Sequence, residues 1–356
     1  MNLNKKFSIQ DQDISIVVQG PILLNSSFGI TDHTTKLVCQ RLKKLFPTSE
    51  LILSTWQGSD VSGIPHDKLV ISDDPGATSF IYREDKIFNN CNRLITSTRN
   101  GIEAATRKYV FKVRSDLFVF SKSFLNFFDH FNHYDPDCKF VKSRILAFSI
   151  HSLKREINLG LETHRPYHIS DWAYFGYKED LWNLYDIPLT PEPEFSQWFL
   201  THPKHHHDLF PARLWKMSPE EYITSSFFKK FYPSLDFAHT QDVSHHNVVL
   251  SERLIANNFL VLDQTQFALT SLKYIELHLL FSVPDIYKTA ILYHSWLKDY
   301  YKYCDVPPLN QPIADKIQMM FRPTYYWAFN ILLKFLNGKG DYIKKLVAYY
   351  IKKISS

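Results

Sequence analysis

The sequence predicts an α/β fold: a Rossmann-type, mostly parallel sheet with helices on both faces, followed by a helical C-terminal region. Three observations predict it. Short β-branched runs alternate with segments of helical spacing through the first 120 residues, the pattern of a parallel sheet covered on both sides. Polar residues gather just past the ends of those runs, where such sheets bind their ligands. Beyond about residue 272 only helical spacing remains.

The elements follow in order. Ile14–Gln19 (ISIVVQ) is a strand closed by Gly20-Pro21. Thr34–Leu45 carries Leu37, Val38, Leu42 and Leu45 at helical spacing and stops before Pro47. Leu51–Thr55 and Lys68–Ser72 are the next strands, the second turning at Asp73-Asp74-Pro75-Gly76. Residues 90–107 fit a helix with Leu94, Ile95, Thr98, Ile102 and Ala105 on its inner stripe. Tyr109–Val113 is a strand that Leu117–Phe120 continues beyond a charged corner. Lys112, Arg114 and Asp116 alternate there and share one face. Charge in a buried strand is costly unless it is paired or meets a ligand. Asp171–Trp182 reads as a strand running into a helix, and THPKHHHD (201–208) as a loop. Ser218–Phe231 opens with Ser218 as cap and Pro219 at the first helical position. Ser251–Asn258 is a further helix. The expected division places the α/β domain at 1–262 and a helical region at 263–356.

Composition excludes several classes. With 45% hydrophobic and 15% aromatic residues among 356, global disorder is excluded. Ten glycines, no Walker pattern and no G-x-G-x-x-G argue against a glycine-rich phosphate loop. Cys39, Cys91, Cys138 and Cys304 form no C-x-x-C pair and read as reduced thiols of a cytoplasmic protein. The start, MNLNKKFSIQDQD, lacks the apolar core of a signal peptide. No apolar run reaches the length of about 18 residues that a membrane-spanning helix needs.

The net charge of +5 is unevenly placed. Residues 321–356 hold seven basic side chains and one acidic, while the other 320 residues hold 34 and 35. A nearly neutral body excludes a nucleic-acid groove. Ile343, Leu346, Val347, Tyr350 and Ile354 form a helical stripe flanked by Lys344, Lys345, Lys352 and Lys353, after the apolar TYYWAFNILLKFL (324–336). This predicts a basic amphipathic helix on an anionic membrane surface. The competing expectation is a helix docked on the domain with a solvated lysine face.

VVQGPI, FPTSELILSTWQGSD, SDDPG, NNCNRLITSTRNGIEAATRKYVFKVRSDL, ISDWAYFGYKEDL, SPEEY and SERLIANNFLVL occur in this order between residues 17 and 262. Together they resemble the WavE-type family of lipopolysaccharide-synthesis proteins, whose members are similar to GT-A nucleotide-sugar enzymes. The resemblance implies a glycosyltransferase that carries sugar from a nucleotide-sugar donor to a lipid-linked lipopolysaccharide or capsule-type glycan. Such an enzyme would be cytoplasmic and peripheral on the inner membrane. Alternatives are another nucleotide-dependent transferase (nucleotidyl- or phosphotransferase) and a degenerate protein that binds nucleotide or glycan without chemistry.

The resemblance also implies a D-x-D carboxylate holding a divalent metal, Mn²⁺ or Mg²⁺, on the donor diphosphate. Here the corner reads Arg114-Ser115-Asp116, so one carboxylate remains. Either Asp116 holds a metal, with a late histidine such as His245 helping, or Lys112 and Arg114 neutralise the diphosphate directly. An Arg114–Asp116 pair that merely closes the sheet edge is the third reading. Gln19, Gly20 and Pro21 would pass beneath the base, Asp73 or Asp74 would meet base or ribose, and Asn92 and Arg93 would face the phosphates. For an inverting reaction the candidate general bases are Asp171, then Glu221, then Asp180. His205-His206-His207-Asp208 reads as a solvated loop.

Overall fold

The computed structural model describes residues 9–82, 84–158, 161–202, 214–274, 289–307 and, in the tail, 312–321, 324, 328 and 340–355. The His205–Asp208 loop and most of 324–336 lie outside the described residues.

Strand β1 (Ile14–Gln19), helix α1 (Thr34–Leu45), β2 (Glu50–Trp56) and β3 (Lys68–Ser72) form where their periodicity places them. Next come a hairpin, β4 (Thr78–Tyr82) and β5 (Asp85–Asn89), then α2 (Cys91–Ala104), β6 (Tyr109–Arg114) and β7 (Leu117–Val119). The middle adds β8 (Ile145–Phe148), the hairpin β9 (Arg155–Asn158) and β10 (Leu161–His164), β11 (Ala173–Tyr177), α3 (Lys178–Tyr185) and the short α4 (Trp198–Thr201). Helices α5 (Pro219–Phe231) and α6 (His245–Asn258) lead into β12 (Phe259–Leu262), α7 (Gln264–Phe267) and β13 (Leu269–Ser271).

Seven strands make the central sheet in the order β12-β8-β11-β6-β1-β2-β3. All its pairings are parallel except those of β11, which runs against both neighbours. Every residue of β1 and β2 is buried, which is why they read as continuous apolar runs. Edge strand β3 alternates instead, leaving Leu69 and Ile71 exposed. Helix α2 lies close over the sheet at Gly101, where a Cβ would clash with Val17 in β1 and Ser54 in β2. On the other side Phe46, Phe111, Phe124 and Phe267 stack into the core.

Residues past 262 share this core. Strand β13 pairs with β7, the helix Tyr293–Tyr303 packs Tyr293 and Trp296 inward, and the Trp296 indole donates to the Phe259 carbonyl at 2.7 Å. The expected boundary at 262 therefore falls inside a continuous hydrophobic cluster. The tail helix Gly340–Ser355 forms, but its buried face differs from the predicted stripe. Ala348 and Ile351 are buried, Val347 and Ile354 lean on the core, and Leu346 and Tyr350 are exposed. Among the described residues no helix is long and apolar enough to cross a membrane.

Candidate functional site

A cleft of about 930 Å³ opens at the carboxyl ends of β1, β2 and β6. Its floor begins at Gly20, whose φ of +115° suits glycine alone and lets the chain turn under the cleft. Gln19 is held from below, its Oε1 accepting from Ser97 Oγ at 2.8 Å, and Ser115 Oγ donates to the Pro21 carbonyl at 2.7 Å. These bonds join β1, α2 and the end of β6 into one rigid rim.

At the corner, the Arg114 guanidinium donates from Nε and a terminal nitrogen to both Asp116 oxygens, at 3.0 and 3.2 Å. Ser271 Oγ, from β13, donates to Asp116 as well, at 2.5 Å. The guanidinium lies 4.3 Å from the Trp172 ring centre, a cation–π contact. A second fork stands at the first turn of α2, where Arg93 donates to both Asp74 oxygens at 2.7 and 2.5 Å. Those bonds hold the Asp74 carboxyl below its ordinary range. Lys273 also lines the cleft and has no ion-pair partner among the described residues.

Because β11 is antiparallel, its beginning lies at the rim. Asp171 and Trp172, just before it, therefore face the cleft beside Arg114, whose backbone N–H donates to the Trp172 carbonyl at 3.2 Å. Glu220, in the first turn of α5, joins Asp171 there. Burial and then the Asp171 charge push the Glu220 carboxyl up to about 8. His151 lines the same wall with its ring 4.9 Å from Trp172. Trp56, Phe88 and Tyr274 complete an aromatic lining.

Gln19, Gly20, Pro21, Asp74, Arg93, Arg114, Asp116 and Asp171 are thus brought together as the sequence suggests. Others are not. Lys112 is fully buried behind the cleft, where its ammonium donates to the Asp171 carbonyl and faces the Tyr174 and Tyr185 rings at 5.8 Å. Burial lowers it to about 8. It positions Asp171 and does not reach into the cleft. Asn92 turns away to the 190 loop, bonding the Thr190 backbone at 2.7 and 3.1 Å, and Asp73 is exposed outside the lining.

Glu221 is fully buried and spent on structure. It closes the capping box with Ser218, accepts from Thr240 Oγ1 at 3.1 Å and pairs with Arg165 at 3.3 Å. Asp180 lies past the end of β11, hence at the opposite edge of the sheet, accepting from the Lys142 and Ser143 backbone. His245 is exposed in the first turn of α6 and does not line the cleft.

Sequence reasoning missed Glu220, and one signal could have found it. In Ser-Pro-Glu-Glu the third helical residue bonds back to the cap, which assigns Glu221 to the helix and frees Glu220. His151, Lys273 and Tyr274 left no comparable sign.

Both Asp116 oxygens are already taken by Arg114 and Ser271, and among the described residues no three His, Cys, Asp or Glu side chains converge to hold an ion. The positive charge in the cleft is guanidinium and ammonium.

Residues 14–324 match the family described as WavE lipopolysaccharide synthesis. A search of curated proteins returns no match. Among solved structures, the chain is similar to 4-diphosphocytidyl-2C-methyl-D-erythritolsynthase from Anaerococcus prevotii DSM 20548, at 9% identity and a TM-score of 0.32, over 68% of this chain and 97% of that one. It is also similar to HddC from Yersinia pseudotuberculosis complexed with GMP-PN, at 12% identity and a TM-score of 0.32, over 82% and 98%. At such scores neither likeness bears on the activity. The family match spans most of the length, and the chain belongs to the WavE lipopolysaccharide-synthesis family.

Proposed function

We propose that the protein is a glycosyltransferase that moves a sugar from a nucleotide-sugar donor to a lipid-linked, lipopolysaccharide- or capsule-type glycan. The observation that carries this reading is a single cleft holding two arginine forks, the first turn of α2 and a carboxyl pair. Arg93 and Arg114 each grip a carboxylate in the geometry that also suits phosphate, so a diphosphate can exchange for Asp74 or share the fork. The positive end of the α2 dipole, whose first turn carries Arg93 into the cleft, adds to the attraction. Lys273 supplies a further cation against charge growing on the leaving phosphate. Trp56 and Phe88 suit a base, and Trp172 with Tyr274, stacked at 6.5 Å, suits a sugar face.

In an inverting displacement Asp171 takes the proton of the acceptor hydroxyl as that oxygen bonds the anomeric carbon and the nucleoside diphosphate departs. Lys112 fixes the Asp171 backbone. Glu220 stands beside it, and burial together with the Asp171 charge disfavours a second negative charge there.

A thermal-shift panel of nucleotide sugars, each with Mn²⁺, Mg²⁺ or EDTA, tests the reading. A ligand at about a hundred times its dissociation constant adds roughly 2.7 kcal/mol to native stability, which raises the melting temperature by a few degrees at this length. The expected result is one donor whose shift survives EDTA and is lost in Arg114→Ala. A shift that needs the metal and Asp116 would instead restore the metal-bound diphosphate. Turnover of free nucleotide or sugar phosphate would point to a nucleotidyl- or phosphotransferase. No shift with any donor would overturn the reading.

A further inference from the structure

The tail carries a second feature that the cleft does not explain. Ile313, Ile317, Met320 and Phe321 are 76%, 49%, 63% and 57% exposed. They stand at i, i+4, i+7 and i+8, one face of the helical turn that spans them. Asp315 points the other way, buried and bonded to the Tyr301 hydroxyl at 2.6 Å, which ties that segment to the body. The tail helix Gly340–Ser355 repeats the arrangement. Ala348 and Ile351 dock it, while Leu346, Tyr349 and Tyr350 are 54%, 64% and 55% exposed. Lys345 and Lys352 stand exposed on the same outer side, and Lys316 beside Ile317.

Exposed apolar side chains rimmed by lysine mark a contact surface. The charge decides what covers it. Residues 312–356, which hold both faces, carry eight basic groups and two acidic, whereas the rest of the chain is nearly neutral with 33 and 34. A second copy of the chain would set these like-charged tails against each other. A bilayer of anionic lipid offers both an apolar layer for Leu, Ile, Met and Phe and a negative surface for lysine, with tyrosine at the boundary.

We propose that these two outer faces, Ile313/Ile317/Met320/Phe321 and Leu346/Tyr349/Tyr350 with their lysines, bind an anionic phospholipid surface. The predicted stripe was rotated from this. Its members Val347 and Ile354 serve the protein, and Tyr349 takes their place outside. The helices lie on the membrane by one face and remain docked by the other. Why an enzyme would visit the bilayer rests on the proposed function, since a lipid-linked acceptor is held there. The surface itself does not rest on it.

The test is co-sedimentation of the full chain, without substrates, with vesicles of phosphatidylcholine containing phosphatidylglycerol and with vesicles of phosphatidylcholine alone. The expected result is binding to the anionic vesicles that weakens as salt rises. Met320→Glu/Phe321→Glu and Lys345→Gln/Lys352→Gln should each lower it at least tenfold. These side chains are exposed, and an unchanged melting temperature confirms that the variants fold. Binding equal in wild type and variants, or absent from anionic vesicles at physiological salt, overturns the proposal. So does a wild-type dimer that Phe321→Glu converts to monomer, since a second copy would then cover the face. The donor panel is read on the same variants: a donor shift that persists while vesicle binding is lost separates this surface from the cleft.

Discussion

The two edges of the central sheet both carry buried charge, yet they differ in what that charge is for. At the amino edge, Glu50 accepts from Ser15 Oγ and from the Thr106 backbone and hydroxyl at 2.9 and 3.0 Å, with Lys68 at 3.4 Å. Burial pushes its carboxyl up, but those hydrogen bonds outweigh it and hold the group below its ordinary value. At the carboxyl edge, Glu220 has no such set of donors and is pushed up to about 8. Lys178 shows the same contrast: it caps the end of α2 by donating to the Ala105 carbonyl at 2.5 Å, whereas Lys273 at the rim has no ion-pair partner among the described residues. A charged residue at a strand end is therefore not a site by itself. The distinguishing mark is capacity left over for a ligand.

Substitutions at the two edges can break or sharpen that contrast. The largest effect is expected at Asp171→Asn, which should lower turnover at least about 100-fold while the donor still shifts the melting temperature. Full turnover in that variant would remove Asp171 as the base. Arg114→Lys keeps the charge but loses the planar fork, so KM for the donor should rise about tenfold with a smaller change in kcat. An unchanged KM would mean that the fork only closes the sheet.

At the other edge Glu50→Ala leaves buried donors on Ser15 and Thr106 unpaired. It should cost about 1–3 kcal/mol of stability, seen as a lower melting temperature, without changing donor KM. A raised KM there would blur the difference between the edges.

A pH-dependent effect is expected at Glu220→Gln, and its sign follows from linkage. The unfolded chain releases this proton near the ordinary carboxyl value, whereas the folded chain holds it to about 8. Wild-type stability therefore falls as pH rises across that window. The variant should melt higher than wild type at pH 8, with the gap closing toward pH 5. An equal gap at both pH values would show that Glu220 does not titrate late.

Much of the site was legible because its signals are local. Gly20-Pro21 after a β-branched run, the alternation Lys112, Arg114, Asp116, and Arg93 in the first turn of a helix all follow from a strand's period of two or a helix's period of 3.6. Where reading failed, the missing information was distant in sequence. Lys112 shares a face with Arg114, but the Tyr174 and Tyr185 rings, 5.8 Å from its ammonium, close over that face at its position and leave it fully buried. Asp180 was offered as a third candidate base, and β11, running against its neighbours, carries it to the end of the sheet opposite Asp171. Ser271, a partner of Asp116, arrives from a strand 155 residues later.

By itself the sequence determined the α/β class, the rim where a ligand would bind, the capped start of α5 and the uneven charge of the tail. Those depend on backbone sterics, hydrophobic period and composition, which neighbouring residues set among themselves. Only the tertiary structure decided which carboxylates keep capacity for a ligand, which arginine already holds a partner, and which face of the tail helix docks. Each of these depends on contacts between residues far apart in the chain, and strand direction and packing, not spacing, determine whether such contacts form.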